Sequence, residues 1–279
     1  MNPAVYIIAE CGINHNGDLN MAKRLIDAAV DAGANAVKFQ KRTVELVYTA
    51  DELDKPRQSP WGTTNREQKV GLEFSLEQYR ELFAYCWSKG IEMSASCWDV
   101  ASIHEITSLG VRWLKIPSAL LTDDYLLRVY RYTRLPLILS TGMSTIQEIH
   151  HAISILHSAD LTLLHCTSTY PCSMNEMNLL CIPWLSKQFC RPVGFSSHSK
   201  SPWPLLGAVA LGAKVIEAHI TLDHTLYGTD QSASLEPAAF KKIVQEIRDL
   251  TVAMGDGVKV VYPSEESIKA KLRKSVVRI

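Results

Sequence analysis

The sequence predicts a single α/β domain with the architecture of a TIM (β/α)8 barrel. Short apolar runs rich in Val, Ile and Leu alternate with segments of helical periodicity, which is typical of βαβ units and a parallel sheet. About eight such units fit into roughly 255 residues, the usual size of this barrel. The alternative is a doubly wound open sheet, but no GxGxxG motif follows the first predicted strand.

The predicted elements follow from periodicity and from end signals. Strands are predicted at residues 4–10, 35–40, 91–96, 112–117, 136–141, 161–166, 192–197 and 214–220. Helices are predicted at residues 20–32, 76–89, 100–109, 123–132, 144–158, 201–212 and 237–253, with a weaker one at 178–189. Ser144 is the expected N-cap of the helix that starts at Thr145.

Two segments depart from the regular alternation. Residues 41–75 form a long, charged insertion after the second strand, and loops of this length are usually functional or disordered, so we expect a lid. The barrel domain is predicted to span residues 1–255. Residues 256–279 are predicted to form a C-terminal extension or linker.

The composition excludes several classes of partner. The 29 Lys and Arg residues balance the 29 Asp and Glu residues, and no basic run stands out, so nothing predicts binding to nucleic acid or to an anionic membrane. No stretch reaches the roughly 18 apolar residues of a membrane span, and the first residues lack the features of a signal peptide. We therefore expect a cytoplasmic protein whose partners are small molecules.

The seven cysteines do not predict a metal or redox motif. They are irregularly spaced and include no CxxC pair, so reduced and mostly buried thiols are the simplest interpretation. Cys166 directly follows His165, but neighbours along a strand face opposite ways. A Cys/His nucleophile is therefore disfavoured.

The stretch VIEAHI, residues 215–220, indicates where the site lies. Glu217 and His219 are two residues apart on a predicted strand and so share a face. Active sites of TIM barrels lie at the carboxyl ends of the strands, and each predicted strand ends in polar residues. These residues are Glu10, Lys38, Gln40, Ser94, Ser96, Lys115, Ser118, Ser140, Thr141, His165, Thr167, Ser196, His198, Glu217 and His219.

The residue types at these ends suit an anionic substrate and a metal. Lys38 and Lys115, with nearby hydroxyls, predict a site for phosphate and carboxylate groups. His198 and His219 end the last two strands, so they could share one divalent metal and leave positions open for substrate. Glu10 is the leading acid/base candidate, and the alternative is a salt bridge with Lys38. Each group alone also has a structural explanation, such as a capping Ser or a hydrogen-bonded core His.

Eight longer motifs follow one another along the chain: IIAECGINHNGD, AVKFQ, KIPSA, ILSTGMS, LLHCTSTYP, GFSSHS, GAVALGAKVIEAHITLD and GTDQSASLEP. In this order, over about residues 5 to 276, they resemble the sialic acid synthase family. The resemblance implies a transferase that condenses phosphoenolpyruvate with an aldose such as N-acetylmannosamine. The implied products are a 3-deoxy-2-keto sugar acid and phosphate, released by C–O cleavage.

The resemblance also implies residue roles. His198 and His219 would hold a catalytic Mn²⁺ or Mg²⁺. The implied phosphoenolpyruvate contacts are Lys38, Ser96, Lys115, Ser118, Ser140 and Ser196, with Ser168 where many members have Asn. The implied contacts to the sugar are Glu10, Gln40, Tyr170 and Asp230, with Asn65 a less certain match.

Three departures from the family pattern bear mainly on the sugar. Members carry a C-terminal antifreeze-like domain that completes a swapped dimer, and this chain ends where that domain would begin, so a homodimer is an open expectation. KIPSAL replaces the commoner KIGSGE, which removes a carboxylate at Leu120 and adds Pro117. SASCWD replaces STPF, which keeps a hydroxyl at Ser96 and places Trp98 nearby.

Three alternatives remain open at this point. The acceptor could be another aldose, such as a 2,4-diamino sugar, a neutral hexose or a sugar phosphate. The chain could instead be a barrel that binds a sugar or phosphoenolpyruvate without catalysis. A metal-dependent hydrolase is disfavoured because the first strand offers only His15 in place of a paired HxH motif.

Overall fold

Eight parallel strands close into a barrel, which confirms the predicted fold class. The computed structural model describes residues 5–157 and 159–273. The strands are β1 (Tyr6–Gly12), β2 (Ala36–Lys41), β5 (Glu92–Cys97), β6 (Leu114–Ile116), β7 (Leu137–Ser140), β8 (Leu161–His165), β9 (Val193–Ser197) and β10 (Val215–His219), with a separate hairpin of β3 (Pro56–Ser59) and β4 (Gly62–Thr64). Around the barrel the order is β1, β10, β9, β8, β7, β6, β5, β2, and β2 pairs with β1 to close it.

Most of the helices surround the barrel, three lie in the insertion at residues 41–75, and the last follows the barrel and buries no residue. They are α1 (Leu19–Ala32), α2 (Val44–Val47), α3 (Ala50–Leu53), α4 (Asn65–Leu72), α5 (Leu76–Lys89), α6 (Val100–Ser108), α7 (Asp124–Tyr132), α8 (Ile146–Ile155), α9 (Cys181–Phe189), α10 (Trp203–Ala210), α11 (Pro237–Ala253) and α12 (Pro263–Leu272). Their ends follow local chemistry. The Asp18 side chain accepts hydrogen bonds from the first turn of α1, and Gly33 ends that helix with a φ of 79°.

Two apolar clusters divide the core. The larger one lies between the strands and the surrounding helices. The smaller one is a plug inside the barrel, and it consists of Ile8, Ala36, Trp113, Ile138, Leu164 and Val215. Because side chains alternate along a strand, the residue two positions after each plug residue also faces inward. The polar residues at the carboxyl ends of the strands therefore stand on this apolar plug.

The start of α8 corrects one prediction. Thr145, and not Ser144, is the N-cap, because its Oγ1 accepts the backbone N–H of Glu148 at 3.3 Å while the Glu148 carboxylate accepts the N–H of Thr145 at 2.7 Å. The Ser144 hydroxyl donates to the carbonyl of Gly142 at 3.0 Å. Thr145 provides the better cap because Glu148 lies three residues beyond it and completes the capping box.

The insertion at residues 41–75 is ordered and not an irregular loop. It contains α2, α3, the β3–β4 hairpin and α4. Its two ends are joined by Arg42, whose Nε donates to Glu73 Oε1 at 2.9 Å. At the far end, the ring of Trp61 packs edge-on against Tyr227, with 5.6 Å between ring centroids. A lid function for this insertion stays a prediction.

The chain leaves the barrel after α11, which packs on α1 and α10. Residues 255–262 are exposed and lead to α12. The predicted domain boundary at residue 255 stays a prediction. All seven cysteines are free, and Cys11, Cys86, Cys97 and Cys166 are buried. Within residues 5–157 and 159–273, the helices are too short or too polar to cross a membrane.

Replacement of Gly194 tests how tightly the barrel is packed. A Cβ atom at this position in β9 would lie 2.3 Å from the carbonyl oxygen of Val215 and 2.7 Å from Leu164 Cδ2. We expect Gly194→Ala to lower the free energy of unfolding by about 3 kcal/mol or more, because backbone and plug must move together. The measurement is urea denaturation. Gly207→Ala in α10 is the control, since its new Cβ would meet only the end of the Leu179 side chain at 3.0 Å. Equal effects of the two substitutions would contradict the tight strand packing.

Candidate active site

One cavity of about 240 Å³ opens at the carboxyl ends of the strands. Its lining combines lysines, glutamates, histidines and hydroxyls on a single concave surface. The lining residues are Glu10, Lys38, Gln40, Ser96, Trp98, Lys115, Pro117, Ser118, Ala119, Ser140, Met143, Cys166, Ser168, Tyr170, Ser196, His198, Glu217 and His219. A cavity of this size suits small molecules.

The floor of the cavity is a cluster of four buried ionisable groups. Lys38 Nζ forms an ion pair with the Glu10 carboxylate, and it lies 3.8 Å from Glu217 Oε2. Lys115 Nζ lies 3.8 Å from Glu217 Oε1, so Glu217 stands between the two lysines. Each of the four residues is at most 3% exposed. Charges buried to this extent are tolerated because they are paired.

Serine hydroxyls complete the floor. Lys38 Nζ donates to Ser96 Oγ at 2.8 Å, and Ser196 Oγ donates to Glu217 Oε1 at 2.9 Å. These bonds leave Glu10 Oε2 and Glu217 Oε2 without a hydrogen bond among the described residues, although both take part in ion pairs. The floor therefore holds its charged groups in fixed positions through ion pairs and hydroxyl hydrogen bonds.

The pKa values of the four groups reflect this burial and pairing. Burial alone would lower the pKa of Lys38, but Glu10 and Glu217 outweigh it, and the pKa is raised. Burial would raise the pKa of Glu217, but Lys115 and Lys38 hold it below its usual range. Burial raises the pKa of Glu10 against the effect of Lys38. It also lowers the pKa of Lys115. Of the two carboxylates, Glu10 takes up a proton more readily, which suits an acid/base role.

The two histidines lie side by side above the floor. Their ring centroids are 5.6 Å apart. His198 Nδ1 lies 2.8 Å from the carbonyl oxygen of Thr167, which can only accept, so Nδ1 carries the proton and Nε2 presents its lone pair to the hydroxyl of Tyr170 at 2.9 Å. Burial and the neighbouring His219 lower the pKa of His198 to about 4, so the imidazole is neutral near pH 7. His219 Nδ1 is buried and has no hydrogen-bond partner among residues 5–157 and 159–273, and it lies 3.8 Å from Asp230 Oδ2.

A second group of hydroxyls surrounds Gly142. The Gly142 N–H donates to Ser118 Oγ at 3.0 Å, and Ser118 Oγ lies 3.4 Å from the Cys166 thiol. A Cβ atom on Gly142 would lie 2.3 Å from Ser168 Oγ and 2.9 Å from Ser118 Oγ. A larger residue would therefore displace the hydroxyls that line this side of the cavity.

The structure brings together twelve of the fourteen residues to which the family resemblance gives a role. Glu10, Lys38, Gln40, Ser96, Lys115, Ser118, Ser140, Ser168, Tyr170, Ser196, His198 and His219 all line the cavity. Asp230 lies at its edge beside His219. Asn65 lies elsewhere, at the start of α4 in the insertion, where its side chain donates to the carbonyl of Glu52 at 2.9 Å.

From the sequence, the side chains at the end of β8 were assigned to the wrong faces of the strand. His165 and Thr167 do not line this cavity. They bond to the following loop, His165 Nε2 to the carbonyl of Met177 at 2.7 Å and the Thr167 hydroxyl to that of Glu176 at 2.8 Å. Cys166 faces the cavity instead. The signal was available, because Leu164 faces inward and Cys166 follows it by two residues.

Sequence reasoning assigned no site position to Ala119 or Met143, which line the cavity together with Pro117, a residue noted only among the departures that bear on the acceptor. These residues lie beyond the strand ends, in the loops after β6 and β7. Strand periodicity does not extend into loops, so it gave no signal for them. Trp98, noted only as a departure from the family pattern, also borders the cavity.

Comparison with known proteins gives consistent matches over nearly the whole chain. The NeuB family profile matches residues 25–259. The N,N'-diacetyllegionaminic acid synthase of Legionella pneumophila is 40% identical over 97% of this chain and 79% of that protein. The Homo sapiens N-acetylneuraminate-9-phosphate synthase is 39% identical over 98% of this chain and 77% of that protein.

A solved structure matches as well. The N-acetylneuraminic acid (sialic acid) synthetase from Leptospira borgpetersenii, crystallised in complex with citrate, superposes with a TM-score of 0.86 at 35% identity. The match covers 98% of this chain and 94% of that chain. Together these matches confirm the family resemblance and the enzyme class that the sequence motifs predicted.

Substitution of Glu217 tests the charge balance of the floor. Glu217→Gln keeps the hydrogen bond from Ser196. It removes the negative charge that faces both Lys38 and Lys115. We expect it to lower the free energy of unfolding by about 3 kcal/mol, the usual cost of breaking a buried ion pair. Inorganic phosphate should restore more stability to this variant than to the wild type, because a bound anion replaces the lost charge.

The measurement is thermal and urea denaturation with and without phosphate. Glu246→Gln is the matched control, because Glu246 forms an exposed pair with Lys242 at 3.8 Å and its loss should change stability by less than about 0.5 kcal/mol. Unchanged stability of the Glu217 variant would contradict the proposed balance.

Proposed function

Because the chain belongs to the NeuB family, we propose that it condenses phosphoenolpyruvate with an N-acetylhexosamine resembling N-acetylmannosamine. The products are a 3-deoxy-2-keto nonulosonic acid of the sialic acid type and phosphate. The observation that carries this proposal is the shared cavity, in which two buried lysines lie beneath two neighbouring histidines. Such an arrangement places an anion site next to a candidate metal site.

The floor suits phosphoenolpyruvate. Its phosphate and carboxylate need fixed positive charge and hydroxyl donors, which Lys38, Lys115 and the surrounding serines supply. We assign to this ligand Ser96, Ser118, Ser140, Ser168 and Ser196 together with the two lysines. Groups held in place before the ligand arrives lower the barrier, because they need no reorganisation during the reaction.

The two histidines fit a divalent metal such as Mn²⁺ or Mg²⁺. The bond to Thr167 fixes the tautomer of His198, so its lone pair is on Nε2, where a metal would displace the hydroxyl of Tyr170. Among the described residues, His219 Nδ1 has no hydrogen-bond partner. Within the described part of the chain no group of three or more His, Cys, Asp or Glu side chains could hold a metal. His198 and His219 would thus be its only such ligands, with other positions open to substrate. A metal bound there would act as a Lewis acid on the aldehyde oxygen of the open-chain sugar.

The remaining residues place the sugar and move protons. Glu10 shares the floor with Lys38, and its raised pKa suits transfer of a proton to or from the sugar or water. Tyr170 and Asp230 lie beside the histidines and Gln40 lies beside Glu10, and we assign all three to the acceptor. Asn65 would reach the acceptor only if the insertion moved, because its amide bonds to Glu52 within that insertion.

A second acceptor class has specific support. The Legionella and human relatives are almost equally similar to this chain, at 40% and 39% identity, yet their names give different products. Overall similarity therefore does not select the sugar, and a 2,4-diamino sugar or a sugar phosphate is the alternative acceptor for the same chemistry. A cytoplasmic location and a homodimer also stay predictions.

Release of phosphate from phosphoenolpyruvate tests the proposed function. We expect release with Mn²⁺ and an aldose, and none without the aldose. The panel should contain N-acetylmannosamine, its 6-phosphate and a 2,4-diacetamido sugar, and mass spectrometry should identify the product. The preferred acceptor then names the product class. Absence of release with every aldose, in a folded protein that binds Mn²⁺, would contradict the proposal.

Removal of His219 tests the metal assignment. We expect His219→Ala to abolish phosphate release and to weaken Mn²⁺ binding by at least about tenfold, because half of the protein ligand pair is lost. Isothermal titration with Mn²⁺ gives a readout independent of turnover. His104→Ala, on the exposed surface of α6, is the control. Activity of the His219 variant without added metal would refute the assignment.

A further inference from the structure

The loop between β10 and α11 carries Asp230 but has little regular structure of its own. It covers residues 220–236, and Gln231–Ala233 form a short 3-10 helix within it. Its two ends are joined by the N–H of Leu235, which donates to the carbonyl of His219 at 2.8 Å. Asp230 lies between these joined ends, so side-chain hydrogen bonds must help to set its position.

The Asp230 carboxylate faces the acceptor side of the site. Its Oδ2 lies 3.8 Å from His219 Nδ1, and a Cβ atom on Gly12 would lie 3.3 Å from it. The same Cβ position is 3.1 Å from Glu10 Oε1 and 3.4 Å from Gln40 Nε2, and both of these side chains line the cavity. The Asp230 carboxylate is therefore grouped with two cavity-lining side chains that we assign to the acceptor.

Asn14, in the loop after β1, reaches the backbone of Asp230 through one serine. Asn14 Nδ2 donates to the carbonyl of Ile220 at 2.9 Å and to Ser234 Oγ at 2.8 Å. Ser234 Oγ in turn donates to the carbonyl of Asp230 at 2.6 Å. The directions of these bonds are fixed, because the two carbonyl oxygens can only accept. Both Nδ2 hydrogens and the single hydroxyl hydrogen are thus used once each.

Gln231 makes a second link between the same two loops. Its Nε2 donates to the carbonyls of Asn14 and Tyr227, at 3.2 Å each, and its Oε1 accepts from the Thr221 hydroxyl. Asn14, Gln231 and Ser234 are each 1% exposed. A buried network of this kind stabilises one arrangement of the loop, because another arrangement would leave buried donors and acceptors unpaired.

We propose that Asn14 is a positioning residue for the acceptor, which fixes the Asp230 carboxylate at the edge of the cavity through Ser234. The inference rests on the proposed function and deepens it. Asn14 and Ser234 are buried within their own network, so they act through Asp230 and do not touch the substrate. A carboxylate held in place before the sugar arrives loses little freedom when the sugar binds, and this raises affinity.

Ser234→Ala in the 279-residue chain tests the inference, because it removes one hydroxyl from the network. We expect the KM for the aldose to rise about five- to tenfold, as for loss of one hydrogen bond. The KM for phosphoenolpyruvate should stay within about twofold, because the lysines that suit its charges, Lys38 and Lys115, lie on β2 and β6. Asn14→Ala removes the same link from its other end, and it should have the same selective effect.

Asn35→Ala is the matched control. Asn35 Oδ1 accepts from the N–H of Ile7 and from Arg248 Nη2, both at 2.8 Å, at the amino-terminal end of the barrel. The control therefore loses two buried or partly buried hydrogen bonds of an asparagine, as Asn14→Ala does, but far from the cavity. Neither KM should change in this variant.

A double-mutant cycle separates positioning from a general loss of stability. Asp230→Ala should itself raise the aldose KM, and adding Ser234→Ala should have no further effect, because the carboxylate that Ser234 holds is gone. An unchanged aldose KM in Ser234→Ala or in Asp230→Ala, an equal rise in both KM values, or additive effects in the double variant would overturn the inference while the condensation itself stands. Failure of the wild type to release phosphate with any aldose would contradict the proposed function, and this inference with it.

Discussion

Charge compensation inside the barrel is the constraint on which the rest of the site depends. Lys38 and Lys115 face Glu10 and Glu217 in a space almost closed to water. Any one of these ions buried alone would cost several kcal/mol. The four ions are therefore stable only as a set. The positions of the residues that carry them, on β1, β2, β6 and β10, depend on one another. The result is a preorganised anion site, whose geometry is set before a ligand binds.

The apolar plug explains how a barrel interior can carry such a cluster. The inward positions of the strands pass from apolar to polar within two residues: from Ile8 to Glu10, from Ala36 to Lys38, and from Val215 to Glu217. The plug closes the barrel below and keeps water from the charged groups on that side. The polar groups therefore face only towards the cavity. The opening of the cavity is the place where chemistry can occur.

Much of this arrangement could be predicted from the sequence, because strand periodicity is local. The shared face of Glu217 and His219 follows from their spacing alone, and the two histidines become neighbours once consecutive strands pair. The β8 end was misjudged, since one residue of shift exchanges the two faces of a strand, as His165 and Cys166 show. The ion pairs of Glu217 with two lysines from other strands depend on barrel closure and stagger, which no local pattern contains. The position of Asn65 depends on the fold of the insertion, for which the sequence offered only length and charge.

The bond between Arg42 and Glu73 has a consequence for how this scaffold can change. It joins the two ends of the excursion at its neck, where Thr43 also bonds to Asp99 and Phe74 stacks on His15. The far end contacts the barrel through Trp61 and Tyr227. Loop-closure entropy grows slowly with length, and the neck fixes the closure whatever lies beyond it. The segment between these contacts can therefore change in length at little cost to the eight strands and their buried charges.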